Sequence, residues 1–241
     1  MANRIPVAHL RMESACYHTV VPTFITAKQP VVLDCGAFRG EFARWAVERF
    51  SARVVSFEAD PQLFESLPAI PGVTFYNHAI TGTDGSLSFR RSASRCSTAY
   101  YDRNSPVDAD GFTAPARSLE SFCNEHGVEG IDLLKLDIEG SELDVFECAT
   151  DAFLMSIKQI TVEFHDFLDP GHAPRIRAIL QRMRTLGFLV VKVSYWTFGD
   201  VVMLNRRMLP LSPLTAPVME AGRFNAGARR LISRVTSFWN G

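Results

Sequence analysis

Four apolar runs in this sequence end on groups that can bind a ligand or move a proton. Val31-Val32-Leu33 leads into Asp34, and Arg53–Phe57 leads into Glu58. Ile131–Leu136 leads into Asp137 and Glu139, and Gln159–Val162 into Glu163, His165 and Asp166. A carboxylate about twenty residues past a glycine turn can accept hydrogen bonds from both hydroxyls of a ribose, which suits Glu58. A histidine titrates near neutral pH, so His165 among carboxylates is a candidate general base. Lys135, Asp137 and Glu139 alternate and so share one face of a strand. Charges on a buried face are costly unless they pair or serve a site. A purely structural ion-pair network is the competing explanation.

Parallel strands would bring those ends together. Val31–Leu33 is short and β-branched, as befits a strand covered on both faces. Gly36 and Gly40 let the backbone turn tightly and approach a ligand. Phe42, Trp45, Ala46 and Phe50 then recur at helical spacing. Strand, glycine turn and helix make the cofactor cradle of doubly wound α/β folds. The sequence Asp-Cys-Gly-Ala-Phe-Arg-Gly (34–40) lacks the G-x-G-x-x-G pattern that seats a pyrophosphate. A nucleoside ligand without a pyrophosphate fits better, and S-adenosylmethionine is the commonest such ligand. The plainer alternative is a strand-to-helix turn that binds nothing.

Further along, Asp60-Pro61 opens a helix as N-cap and first helical residue. Val73–Asn77 forms a third strand, whose end sets Asn77, His78 and Ala79 beside the adenine of a bound nucleoside. Asp84-Gly85 signals a hairpin between 79–80 and 87–89. Ser118 caps a helix over Leu119–His126, closed by Gly127, and Ser141 caps a helix from Glu142 to Cys148. Residues 159–166 alternate into another strand. His172–Leu186 is an amphipathic helix, and 188–195 with 200–204 suggest a closing antiparallel hairpin.

With 241 residues and 47% hydrophobic content, the chain can bury one sizeable α/β core. We divide it into an N-terminal arm or cap (1–30), a main domain (31–205) and a tail (206–241). The arm mixes polar and apolar residues with weak helical periodicity and lacks a signal-peptide core. Residues 92–116 are polar and irregular, with Tyr100, Tyr101 and Phe112, so they form either a substrate lid or a plain surface loop. The tail has spaced prolines, then a basic amphipathic stretch carrying Arg223, Arg229, Arg230 and Arg234. Such a stretch can pack on its own domain, on a second subunit or on a membrane surface. A net charge of −1 gives no reason to expect nucleic acid, and no apolar run is long enough to cross a bilayer. Five scattered cysteines without a C-x-x-C pair argue against disulfides and zinc and for a reducing cytoplasm.

These motifs together resemble the FkbM-type S-adenosylmethionine-dependent methyltransferases. The matching pieces are L-D-C-G-A-F-R-G (33–40), S-F-E-A-D-P (56–61), N-H-A-I (77–80), D-L-L-K-L-D-I-E-G-S-E (132–142) and V-E-F-H-D (162–166). The resemblance implies a class I methyltransferase fold, Rossmann-like and doubly wound, with a seven-stranded, mostly parallel sheet and one antiparallel strand. It also implies O-methylation of a hydroxyl on a sugar, lipid or secondary metabolite. On that basis Gly36, Ala37 and Gly40 form the turn around the methionine end of the cofactor, with Asp34 at its base. Glu58 and Ala59 meet the ribose, and Asn77, His78 and Ala79 line the adenine. Asp137 faces the amino-acid moiety or the acceptor. His165 is the base, supported by Glu163, while Lys135 and Glu139 orient the strand end. No metal is required, although Asp137, Glu139, Glu163 and Asp166 are hard ligands that could hold Mg²⁺ against a diol. The expected partners are a small-molecule or glycan acceptor and a second copy of the chain. A nicotinamide oxidoreductase and a non-catalytic scaffold on the same fold stay open at this point.

Overall fold

The structure, a computed structural model, describes residues 10–91, 98–100, 111–166 and 169–222. In the described part of its N-terminal segment, β1 (Glu13–Ala15) and β2 (His18–Val20) form an antiparallel hairpin. Cys16 and Tyr17 make its turn with φ of 46° and 70°, the left-handed conformation that two-residue hairpin turns demand. The main domain then opens with β3 (Val31–Cys35), α1 (Glu41–Phe50), β4 (Arg53–Phe57), α2 (Pro61–Ser66) and β5 (Val73–Tyr76). Asp60 caps α2 by accepting from Gln62 N, and Pro61 fills the first helical position.

Next come β6 (Ala79–Thr81), β7 (Gly85–Arg91), β8 (Thr98–Tyr100), β9 (Gly111–Ser118) and α3 (Leu119–His126). The chain continues through β10 (Ile131–Leu136), α4 (Glu142–Cys148), α5 (Asp151–Met155), β11 (Gln159–Val162), α6 (Ala173–Thr185), β12 (Phe188–Lys192) and β13 (Val201–Asn205). Seven of these strands form one sheet in the order β12-β13-β11-β10-β3-β4-β5. Only β13 runs against its neighbours. This is the sheet of a class I methyltransferase fold.

Alternation along the central strands divides the core. Leu33, Cys35, Leu134 and Leu136 meet α3, α4 and α6 on one face, whereas Val32, Val54 and Leu133 meet α1 and the N-terminal hairpin on the other. Leu209 and Met219, from the start of the tail, pack with Val191, Val202 and Leu204, so this part of the tail lies on its own domain. Residues 223–241, with the arginine-rich stretch, are outside the described residues.

Two expectations need correction. Asp84-Gly85 does not join a hairpin of β6 and β7, because β9 lies between them, parallel to β6 and antiparallel to β7. The Asp84 side chain instead accepts from Ser118 N at the end of β9. The same strand replaces the last part of the expected 92–116 loop. Residues 92–97 and 101–110 of that loop lie outside the described residues.

Candidate active site

Strand register, more than any motif, assembles the site. Lys135, Asp34 and Ser56 are cross-strand partners on β10, β3 and β4, one row from the carboxyl ends. Lys135 Nζ stands 3.2 Å from Asp34 Oδ1, and Ser56 Oγ donates to Asp34 Oδ2 at 2.8 Å. Burial disfavours the Lys135 ammonium, but Asp34 and Asp137 outweigh it and hold its pKa above the usual lysine value. Asp34, fully buried, is therefore a counter-ion under the site and does not line the cavity.

Gly36 continues from this row into the turn. A Cβ there would stand 1.9 Å from the Asp137 carbonyl oxygen, and its φ is +93°. The glycine is thus required by the close passage of two strand ends, a stronger constraint than ligand approach. Gly40, at φ +76°, precedes α1 and faces Phe75, Ile70 and Leu67, away from the cavity. Between them, the N–H groups of Gly36 and Ala37 both donate to Phe57 O, and Phe38 N donates to Glu58 Oε2 at 2.8 Å.

A cavity of about 440 Å³ opens over these carboxyl ends, within the range of roughly 300–1,000 Å³ usual for ligand pockets. At the β4 end it is bounded by Glu58, Ala59, Phe57 and Leu63, with His78, Ala79, Ile80 and Phe89 beside them. Glu58 Oε1 accepts from Asp60 N at 2.9 Å, so each carboxylate oxygen holds one backbone donor and retains a lone pair for a ligand hydroxyl. Burial pushes its pKa up to about 6 against those two bonds. Asn77 lies behind this wall, where its amide donates to Glu58 O and Ala59 O and fixes their loop. A carboxylate with open lone pairs beside an apolar slot suits the ribose and adenine of an adenosyl ligand.

At the β10 end the wall is acidic. Asp137 Oδ2 meets His18 Nε2 at 3.2 Å and Lys135 Nζ at 3.8 Å. Burial alone would raise the Asp137 pKa, but Lys135, His18 and His165 drive it below the usual carboxylate range. His165 Nδ1 bonds Glu142 Oε1 at 3.0 Å, while its Nε2 lies 3.4 Å from Glu139 and 3.6 Å from Asp137. Burial disfavours the imidazolium, yet Glu142, Glu139 and Asp137 lift its pKa to about 10.

The support of His165 is accordingly corrected: Glu142 orients the ring, in the role expected of Glu163. The three carboxylates around the ring favour its protonated form. Glu163 joins His18 and Asp137 instead, with ligating atoms all within 4.8 Å of one another, and its pKa is raised by burial and by Asp137. Asp166 accepts from Phe198 N and holds the 193–200 turn. Asp137, Glu139 and His165 also converge within 4.8 Å, where Lys135 and the imidazolium supply the positive charge.

Sequence reasoning passes over four contributors. Glu142, the expected first residue of a helix, also accepts from Ile138 N at 2.8 Å and Gly140 N at 2.9 Å besides bonding His165. Its signal was present as the last residue of K-x-D-x-E-G-x-E. Ser141, expected to cap that helix, makes no side-chain cap bond. His18 and the cavity-lining Cys16 and Tyr17 come from the hairpin, which no motif marked.

The Methyltransferase FkbM domain matches residues 34–190, well over half of the chain. The chain belongs to this family. It is an S-adenosylmethionine-dependent methyltransferase, and of the readings the sequence left open this one is retained. The 2-O-methyltransferase NoeI of Sinorhizobium fredii (strain NBRC 101917 / NGR234) is 26% identical over 211 residues, covering 79% of this chain and 86% of that protein. The AMB antimetabolite synthetase AmbE of Pseudomonas aeruginosa is 38% identical over 82 residues, 34% of this chain but 4% of that much longer protein. Among solved structures, precorrin-6y C5,15-methyltransferase from Geobacter metallireducens GS-15 aligns with a TM-score of 0.41 at 9% identity, over 76% of this chain and 83% of that one. Among the described residues no helix is long and apolar enough to cross a membrane.

Proposed function

We propose that this FkbM-family chain is an O-methyltransferase whose acceptor is a hydroxyl of a sugar, lipid or secondary metabolite. One observation carries the reading: a single cavity runs from the hydroxyl-accepting Glu58, over the Gly36–Phe38 turn, to the acidic cluster of Asp137 and Glu139. Glu58 takes the ribose hydroxyls, and Ala59, His78 and Ala79 form the wall against the adenine. Asn77 and Gly40 act from behind, by holding the loop after β4 and by opening α1. S-adenosylmethionine supplies an electrophilic methyl group on a cationic sulfonium. Gly36 and Ala37 turn the backbone beneath the methionine moiety, and Asp137, with Lys135 and His18 fixing it, faces the positive end. His165 and Glu163 stand next to Asp137 on the side from which an acceptor hydroxyl arrives. Holding that oxygen close to and in line with the methyl group provides much of the acceleration. The name of the NoeI relative supports transfer to oxygen, and its coverage of both chains supports carrying that idea over.

We assign the activity to the cytoplasm, in keeping with free thiols at Cys16, Cys35, Cys123 and Cys148, and to a homodimer acting on a small-molecule or glycan acceptor. The test is calorimetric titration with S-adenosylmethionine and S-adenosylhomocysteine, followed by transfer of a labelled methyl group to a panel of simple glycosides, acyl glycerols and phenols. Micromolar binding and an ether product support the reading. Binding of neither adenosyl ligand removes the cofactor assignment, and methylation only at nitrogen or carbon removes the O-methyl reading.

A further inference from the structure

The turn after β10 breaks the alternation of the strand at Glu139. This residue has φ +55°, a left-handed conformation that costs a non-glycine residue roughly 1–2 kcal/mol. Glu142 holds it there, since its two carboxylate oxygens accept from the N–H groups on either side, Ile138 and Gly140. The brace directs Glu139 into the cavity wall, half-buried, with Oε2 3.4 Å from His165 Nε2. Strain sustained by a dedicated brace at a cavity wall points to a use for the strained side chain.

The other acidic groups are committed. Asp34 is the buried counter-ion of Lys135, and Glu58 sits on two backbone donors at the opposite end. Asp137 is paired with Lys135 and His18, and Glu142 serves the brace and the ring. Glu163 and His165 stand outside the cavity lining, and Glu41 lines it from the exposed first turn of α1. We propose that Glu139 is the catalytic base that accepts the proton of the acceptor hydroxyl, with the His165 imidazolium as its positioning partner. This rests on the methyltransferase reading above.

The step balances without another reactant. The acceptor oxygen forms the new O–C bond and the S–C pair stays on sulfur. The O–H pair stays on oxygen, and the proton passes to the Glu139 carboxylate. The electrostatics agree with this role. Burial, then Asp137, Glu142 and Glu163, raise the Glu139 pKa to about 7 against the pull of His165. A base is most effective when its pKa lies near the working pH. The groups acting on Glu139 are Asp137 at the β10 end, Glu142 on α4, and His165 and Glu163 after β11, with Lys135 and His18 paired to Asp137.

Calorimetry tests this without a known acceptor. At pH 7, in two buffers of different ionisation enthalpy, the sulfonium cation is expected to expel about half a proton from Glu139 on binding. S-adenosylhomocysteine, which lacks that charge, is expected to expel less. In Glu139→Gln the difference in proton release between the two ligands vanishes, and S-adenosylmethionine is weakened by about tenfold or more while S-adenosylhomocysteine changes less than about threefold. Proton release that persists in Glu139→Gln overturns the proposal. With an acceptor from the panel, Glu139→Gln is expected to lower kcat by at least about 100-fold and to abolish the rise near pH 7 in kcat/KM for S-adenosylmethionine. Activity within tenfold of wild type overturns it too. His165→Asn is expected to keep that rise but displace it to higher pH, and Glu139→Asp controls for folding by retaining the charge. Failure of the wild type to bind either adenosyl ligand strikes the cofactor reading alone, and failure of every panel acceptor strikes the acceptor class alone.

Discussion

The two ends of the cavity satisfy their carboxylates in different ways. At the β4 end Glu58 is held by neutral backbone donors, Phe38 N and Asp60 N, from residues close to it in sequence or in the adjoining turn. At the β10 end Asp137, Glu139 and Glu142 are balanced by Lys135, His18 and His165, drawn from β10, the N-terminal hairpin and the segment after β11. Backbone donors fix a geometry and leave lone pairs for a neutral ligand. A cluster of opposed charges spreads proton affinities apart, lowering Asp137 and raising His165, and leaves Glu139 near neutrality, where an arriving cation shifts it. The first end suits a neutral ligand and the second a charged one.

Lys135→Met should affect the molecule most, because it leaves Asp34 a buried charge without its counter-ion. A loss of about 3–5 kcal/mol in urea unfolding is expected, and a change below about 1 kcal/mol would show that Asp34 relaxes by another route. Glu142→Ala comes next, since it strips charged acceptors from two backbone donors and the His165 ring. About 2–3 kcal/mol is expected, with kcat reduced at least tenfold once the 138–140 turn loses its brace. If stability falls and kcat does not, the brace serves the fold only.

Glu58→Gln should cost about 1–2 kcal/mol of stability, because its amide nitrogen cannot accept from one of the two backbone donors, Phe38 N and Asp60 N. It should weaken S-adenosylmethionine and S-adenosylhomocysteine alike by about tenfold, the value of one charge-assisted hydrogen bond at about 1.4 kcal/mol per decade. Unequal weakening of the two ligands would mean that Glu58 senses the sulfonium and that the ends are not distinct. A further effect is on stability against pH. His165 has a folded-state pKa of about 10 against an ordinary 6.5, so its contribution is full below pH 6.5 and is lost as pH rises through about 10. His165→Asn should therefore flatten part of the alkaline decline measured by thermal unfolding, and an unchanged profile would remove the imidazolium from the cluster.

The contrast between the ends also governs what could be read in advance. The strand–turn–helix around Gly36, the position of Glu58 and the caps at Asp60 and Ser118 depend on residues a few places apart, and their local chemistry marks them. The sheet followed from the alternation of apolar runs and helices, including the closing hairpin of β12 and β13. The exchange of Glu163 for Glu142 beside His165 did not follow. It depends on where α4 begins once Glu139 and Gly140 have turned with positive φ. The place of β9 between β6 and β7 was hidden for a similar reason, because a pairing across some thirty residues outweighs a local turn signal.

By itself, then, the sequence determined the order of the strands and helices of the seven-stranded sheet, the family and the carboxylate that ends β4. Periodicity and short-range hydrogen bonding specify such features before the chain closes. Only the tertiary structure decided which acid braces His165, that Asp34 lies beneath the cavity and that the N-terminal hairpin delivers His18 to Asp137. Those outcomes depend on register across parallel strands and on charge balance among groups distant in sequence, neither of which any single stretch of residues contains.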